Sequence, residues 1–258
     1  MNILLRLAYD GTAYCGFQVQ KNGRSVAQTV QDALEATLGE RPDIKGCSRT
    51  DAGVHALDFA LNFHSDTAIP LEKLPLAINF HLPPDIRVFS ACAVPEAFHA
   101  RYAAHAKTYE YRIRNSAIES PFDAKYTARI SQPLDVEKMQ KAAQRCIGTH
   151  DFTAFCAAGS AAAAHGDTVR TISDCRVRRE GACVVISVTA DGYLYNMVRI
   201  LAGTLVQVGL GRMDEANIPD ILAGRDRTKA GPTMPPTGLF LVRVDYGPDE
   251  IRIVRGGD

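Results

Sequence analysis

The amino-acid sequence predicts an α+β protein made of two similar-sized halves. Three observations carry that expectation. Segments with strand and helix patterns alternate in both halves, and no internal repeat relates them. The chain has 258 residues, more than one average domain and fewer than two comfortable ones. Its composition, 46% hydrophobic with 22% charged residues spread along the chain, supplies a substantial core and excludes a disordered or collagen-like chain. A boundary is expected at Ala104–Lys107, dividing the chain into residues 1–104 and 105–258.

In chain order, Ile3–Ala8 is an apolar run, broken by Arg6, that ends at Tyr9-Asp10-Gly11, the pattern of a strand entering a turn. A helix follows. Ser25 stands as its N-cap with Gln28 at the capping-box position, Val26, Val30, Ala33, Leu34 and Leu38 recur at helical spacing, and Gly39 marks its stop. Val54–Phe63 reads as a mostly buried strand. Beyond the boundary, Tyr109–Ile113 starts a second series of elements. A helix opens near Asp135 with Met139, Ala143, Cys146 and Ile147 on its inner face. Ser173–Arg178 and Cys183–Ala190 flank the turn residues Glu180-Gly181 as a hairpin, with Val184, Ile186 and Val188 toward one side. The Ala-, Gly- and Ser-rich stretch Ala157–Gly166 is expected to be a mobile loop. Met197–Val208 is an almost wholly apolar helix, and Leu239–Val244 a final strand.

Charge and cysteines narrow the setting. Twenty-nine Lys and Arg balance 29 Asp and Glu, so any polyanionic partner must be met by a local patch rather than by net charge. Seven cysteines, at 15, 47, 92, 146, 156, 175 and 183, are odd in number and lack C-x-x-C spacing; they read as reduced, mostly buried thiols. No signal-peptide pattern opens the chain and no membrane-length apolar run occurs in it, so a cytoplasmic protein without a membrane partner is expected.

The stretch Ser48-Arg49-Thr50-Asp51-Ala52-Gly53-Val54-His55-Ala56 places a carboxylate in a turn immediately before a buried strand. One reading is an Asx-type turn in which Asp51 accepts from backbone N–H groups and Gly53 supplies a positive φ. The other draws on Arg199, the one charge in an otherwise apolar helix. A guanidinium is seldom fully buried without a partner, so Arg199 either snorkels to the surface or meets a carboxylate. Paired with Asp51 it would hold that group ionised, fixed and partly desolvated, a nucleophile or base.

Tyr109 and Tyr111 alternate with Glu110 and Arg112, so both rings face one side of a strand; core packing and stacking on a planar base both fit. Basic residues cluster at Arg101, Lys107, Arg112 and Arg114, at Arg170, Arg176, Arg178 and Arg179, and at Arg225, Arg227 and Lys229. Each cluster alone reads as a solvated face, whereas three converging on one cleft would form a footprint for RNA phosphates. His55, His64, His99 and His105 have no metal spacing and read as structural or RNA-contacting.

Arg49-Thr50-Asp51-Ala52-Gly53-Val54-His55-Ala56 resembles the catalytic signature of the TruA-type tRNA pseudouridine synthases. Companion motifs run the whole length. They are Tyr9-Asp10-Gly11 with Tyr14-Cys15-Gly16-Phe17-Gln18, Ser25-Val26, Phe98-His99-Ala100-Arg101 and Lys107-Thr108-Tyr109-Glu110-Tyr111, followed by Asp151-Phe152-Thr153-Ala154-Phe155, Asn196-Met197-Val198-Arg199 and Gly238-Leu239-Phe240-Leu241. The resemblance implies two α/β halves whose mainly antiparallel sheets meet at a central catalytic cleft. It implies a homodimer that isomerises uridine to pseudouridine at positions 38 to 40 of the tRNA anticodon arm, with no cofactor and no metal. By motif position it assigns Asp51 as the catalytic aspartate, Tyr109 as the ring that stacks on the uracil, Arg199 as the salt-bridge partner of Asp51, and Arg49 as a basic neighbour for the RNA. Arg101, Lys107 and Arg170 are candidate RNA contacts. Two positions depart from the family pattern: Ser48 stands where many relatives have Gly, and Phe17 where many have Trp.

Two other functions remain to be separated from this one. A non-catalytic tRNA-binding or RNA-chaperone protein would use the same basic cleft without changing nucleoside content. A hydrolase would pair Asp51 with His55, but no nucleophile elbow, metal set or phosphate loop accompanies them.

Overall fold

The computed structural model describes residues 1–21, 23–118, 120–159 and 164–247. In chain order its elements are β1 (Asn2–Tyr9), α1 (Val26–Leu38), β2 (Lys45–Gly46), β3 (His55–His64), α2 (Leu74–His81), β4 (Ile86–Val94), β5 (Ala104–Asn115), β6 (Ala128–Ile130), α3 (Val136–Gln144), β7 (Gly148–Asp151), β8 (Val169–Glu180), β9 (Cys183–Ala190), α4 (Met197–Gly209), α5 (Ile218–Gly224) and β10 (Leu239–Tyr246). The architecture is α+β, as expected. The chain divides into two compact units, Met1–Ala106 with the segment from Leu241 onward, and Lys107–Phe240.

In the first unit the strands lie in the order β4-β1-β3-β10, with β2 beside β3. β1 runs antiparallel to both neighbours, Leu5 standing opposite Leu61 of β3 and Ala91 of β4. Ile3, Leu4, Leu5 and Leu7 are all buried, so β1 is covered on both faces and reads as a continuous apolar run rather than an alternation. Its one charge, Arg6, donates to Asp58 Oδ2 at 2.8 Å and to the Val244 carbonyl at 3.2 Å, and lies over the Tyr246 ring at 5.3 Å. Leu241–Tyr246 therefore pack in the first unit, although sequence order had grouped them with residues 105–258.

α1 forms as its sequence dictates. Ser25 Oγ accepts from Gln28 N at 3.1 Å, Val26, Val30, Ala33 and Leu34 are buried, and Gly39 ends the helix at φ 77°.

The second unit orders its strands β5-β9-β8-β7, all antiparallel, with β6 parallel to β5 from Ile113 opposite Ala128. The β8–β9 hairpin turns at Gly181 (φ 59°) and buries Val184, Ile186 and Val188 completely. α3 opens on Asp135, whose side chain accepts from Lys138 N, and buries Met139 and Ala143, with Cys146 buried just beyond its end. Ile147 does not join that inner face. The helix ends at Gln144, and Ile147 is exposed on the way into β7. Of the expected mobile loop Ala157–Gly166, residues 160–163 lie outside the described residues.

All seven cysteines are free thiols and four are buried; burial pushes the Cys146 thiol up to about 12. Among the described residues no helix is long and apolar enough to cross a membrane.

Candidate functional site

The turn that carries Asp51 is built from three directions within the first unit. Ahead of β3, the Phe17 N–H donates to the Thr50 carbonyl at 3.1 Å and Gly53 N–H to the Tyr14 carbonyl at 3.3 Å. Val54 N–H closes the turn on the Asp51 carbonyl at 3.2 Å, and the Tyr9 and Thr50 hydroxyls meet at 2.7 Å. Segment 14–17 thus clasps segment 50–54. The close approach requires glycine: Gly16 has φ 107°, and a Cβ there would lie 2.7 Å from the Thr50 carbonyl oxygen. Tyr14 is braced from outside the clasp by Asp85, which accepts from its hydroxyl at 2.7 Å. Burial, with that hydrogen bond and the Asp85 charge, pushes the phenol up to about 12.

Asp51 itself is half-buried. Behind it the His55 ring is buried, with Nδ1 at 3.1 Å from both the Gly11 N–H and Asp10 Oδ1. Ser48 does not adopt a positive φ, so its Cβ is compatible with the turn. Phe17, in the place of a larger ring, stacks on Phe59 at 4.4 Å and is almost fully buried, a packing role.

Ser48 and Arg49, which lead into Asp51, line a cleft of about 400 Å³ in the same unit. Phe17, Lys45, His99, Arg101 and Tyr102 are among its other walls. Arg49 is exposed, and neither Arg49 nor Arg101 has a carboxylate partner among the described residues. The Arg101 guanidinium lies 5.8 Å from the centre of the Tyr102 ring, which is 76% exposed, and His99 packs on the same ring at 4.4 Å. Burial, followed by the charge of Lys45, lowers the His99 pKa, and its Nδ1 accepts the Arg101 backbone N–H at 3.1 Å, as a neutral ring does. The cleft offers unneutralised guanidinium groups beside an exposed aromatic face, the combination that suits phosphate and base together.

Tyr109, Lys107, Arg170 and Arg199 belong to the second unit. Tyr109 is nearly buried and meets Tyr193 edge to face at 4.9 Å; the Tyr193 hydroxyl lies 2.8 Å from the Lys107 carbonyl and 2.7 Å from that of Val188. Tyr111 is fully buried and donates to the Pro235 carbonyl at 2.7 Å; both alternating rings are buried in the core, Tyr109 slightly less so.

Arg199 is half-buried near the start of α4, and two of its contacts are with neutral groups of its own unit. Its Nε donates to the Met234 carbonyl at 2.6 Å and its Nη1 to Asn196 Oδ1 at 2.7 Å. Asn196, at φ 60°, is the residue type that tolerates the left-handed turn preceding the helix. The irregular segment carrying Met234 reaches Arg199 because Gly203 leaves room for it; a Cβ at Gly203 would lie 1.8 Å from the Pro232 carbonyl oxygen.

The basic clusters of the second unit are largely neutralised. Glu110 accepts from Arg112 at 3.0 Å and from Arg178 at 2.8 Å; burial alone would raise its carboxyl, but these two guanidinium groups hold it below the usual range. Arg114 meets Asp123, Arg176 meets Asp174, Arg170 meets Asp167 and Arg225 meets Asp151, all at 2.9 to 3.0 Å. They read as solvated ion-pair networks, each contributing little to stability. Sequence reasoning did not single out Lys45 or Tyr102 as cleft residues; Tyr102 follows Arg101 directly, and an aromatic beside an unpaired arginine was the available signal.

Among the described residues no group of three His, Cys, Asp or Glu side chains is placed to hold a metal ion.

A family model described as tRNA pseudouridine synthase matches residues 7–103 and 142–247. A protein of Thermoanaerobacter sp. (strain X514) named tRNA pseudouridine synthase A is 47% identical over 245 residues, covering 95% of this chain and 99% of its own. Its namesake from Caldicellulosiruptor saccharolyticus is 45% identical over the same shares, and that of Shouchella clausii 45% identical over 94% of this chain and 92% of its own. The first matched segment contains the Asp51 turn and the second the Arg199 helix; Lys107 and Tyr109 lie between the two. The chain belongs to the tRNA pseudouridine synthase family.

Proposed function

We propose that this protein isomerises uridine to pseudouridine at positions 38 to 40 in the anticodon stem-loop of tRNA, with Asp51 as the catalytic group and no cofactor. The coarse statement, an isomerase acting on tRNA, follows from the family. The position in the tRNA and the residue roles rest on the resemblance of the motifs. The observation that carries the residue assignment is the Asp51 turn: its backbone is clasped by segment 14–17, it presents a half-buried aspartate, and it is entered through Ser48 and Arg49 of a cationic and aromatic cleft.

The reaction breaks the bond between N1 and C1′, turns the uracil and joins C5 to C1′; the hydrogen leaves C5 and one is gained at N1, so atoms balance without a co-reactant. A uridine inside a stem must first leave the stack, at a cost of a few kcal/mol. Arg49, Arg101 and Tyr102 line the cleft, which supports a reading in which the arginines hold phosphates of the opened arm and Tyr102 stacks on an unstacked base. Lys107 and Arg170 are further candidate contacts, Arg170 after exchanging Asp167 for phosphate. The resemblance gives Tyr109 the stacking role against the target base and Arg199 the role of the cation that keeps Asp51 ionised. Attack of Asp51 on C6, attack on C1′ and removal of a sugar proton all use one ionised carboxylate. A non-catalytic chaperone is not favoured, since the relatives of 45 to 47% identity are named as synthases.

We further propose a cytoplasmic homodimer, a reading supported by the resemblance and by a tRNA substrate; a monomer by light scattering at micromolar concentration would overturn the dimer. The reaction is tested by nucleoside mass spectrometry, with carbodiimide mapping, on an unmodified tRNA transcript incubated with the protein in chelator. Pseudouridine confined to positions 38 to 40 is expected. Product elsewhere would discard the position, and binding without product would favour the chaperone.

A further inference from the structure

We infer that Tyr9 is a positioning residue for the Asp51 carboxylate, acting through its hydrogen bond to the Thr50 hydroxyl; this rests on Asp51 being the catalytic group. Tyr9 is the last residue of β1, and its ring is 4% exposed and packed on Phe59 of β3 at 5.5 Å. A phenylalanine would make the same ring contact without burying a hydroxyl, which costs free energy unless it is bonded. The hydroxyl goes 2.7 Å to Thr50 Oγ1, on the residue immediately before Asp51.

That contact fixes more than one torsion. Thr50 is buried and β-branched, so its side chain has few rotamers, and anchoring Oγ1 sets the orientation about its Cα. Its carbonyl is separately held by Phe17 N–H at 3.1 Å, which fixes the peptide plane joining Thr50 to Asp51. On the other side the Asp51 carbonyl receives Val54 N–H at 3.2 Å. The backbone on both sides of Asp51 is pinned, which sets where its side chain starts. Preorganisation of this kind is realised in rate rather than in substrate affinity.

The test compares Tyr9→Phe, Thr50→Val, the double variant, Thr50→Ser and Asp51→Asn. Each is assayed for single-turnover pseudouridine formation at saturating tRNA, for tRNA affinity and for melting temperature, with rates taken well below melting. Tyr9→Phe and Thr50→Val should each slow the saturated rate by about tenfold, in the range of one lost neutral hydrogen bond. Affinity should stay within about twofold, the double variant should be no slower than either single one, and Thr50→Ser, which keeps the hydroxyl, should recover most of the rate. Unchanged rates in Tyr9→Phe and Thr50→Val while Asp51→Asn is inactive would overturn the positioning role alone. So would losses that multiply in the double variant or that appear only in affinity. If Thr50→Val does not fold, Tyr9→Phe and Thr50→Ser decide the question. Turnover by Asp51→Asn would instead overturn the reading on which the inference rests.

Discussion

Replacing Gly16 by alanine perturbs the clasp around Asp51 with a single methyl group. At φ 107° a residue with a Cβ is strained, by about 1 to 3 kcal/mol. The new Cβ would stand 2.7 Å from the Thr50 carbonyl oxygen and 3.3 Å from the Asp51 carbonyl carbon. Ordinary contact requires Thr50 to retreat by about 0.7 Å, which breaks the 3.1 Å bond from Phe17 N–H and forfeits about 1 kcal/mol more. The expected loss of stability is about 2 to 4 kcal/mol. A displacement approaching 1 Å at the residue preceding Asp51, the proposed catalytic group, is expected to cost up to about a hundredfold in rate.

Gly39→Ala is the control. It also forces a positive φ, 77°, on alanine, but nothing lies within 4 Å of its Cβ, so about 1 kcal/mol and no change in turnover are expected. Urea denaturation of both variants gives the stabilities, and single-turnover product formation gives the rates. A Gly16→Ala protein that turns over at the unsubstituted rate, or is no less stable than Gly39→Ala, would refute the argument that this clasp holds the site.

Two further outcomes follow from charge. Arg49→Gln and Arg101→Gln should each weaken tRNA binding and reduce the slope of log affinity against log salt by about 0.7 to 0.9, as measured by filter binding across a salt series; unchanged slopes would remove the cleft from the RNA surface. The Tyr14 phenol is raised in the folded protein from its ordinary 10.0 to about 12, so its contribution to stability is complete below pH 10 and is lost as pH rises from 10 through 12. Tyr14→Phe should flatten the alkaline fall of stability in that window, read from denaturation midpoints; an unchanged fall would contradict the Tyr14–Asp85 brace.

How much of this was legible in the sequence depends on which interactions are local. α1 was readable because Ser25, Gly39 and the Val26, Val30, Ala33, Leu34 spacing agree along one stretch of chain. α2 was not. Its apolar residues lie all around the helix, Leu74 and Ile78 buried but Leu76 and Phe80 exposed, and no side chain caps its start. β4 escaped as well, since at the edge of its sheet it mixes buried Val88 with exposed Arg87 and Phe89.

At the site, the turn signature around Asp51 was visible, but the partners that shape it come from residues 9 to 17, and no local pattern reports that proximity. The partner of the Tyr111 hydroxyl, the Pro235 carbonyl, lies far along the chain and left no local trace. The arginine clusters read in sequence as solvated faces, but their acidic partners were not visible: Glu110 reaches Arg178 from 68 residues away, a neutralisation that adjacency in sequence does not show.

The central claim is that the Asp51 carboxylate performs the isomerisation. Asp51→Asn keeps size and shape and removes the charge. Its single-turnover product, by nucleoside mass spectrometry on a tRNA transcript and beside the unsubstituted protein, should fall to background while tRNA affinity and melting temperature stay close to those of the parent. Pseudouridine formation by that variant at a rate comparable to the parent would contradict the account.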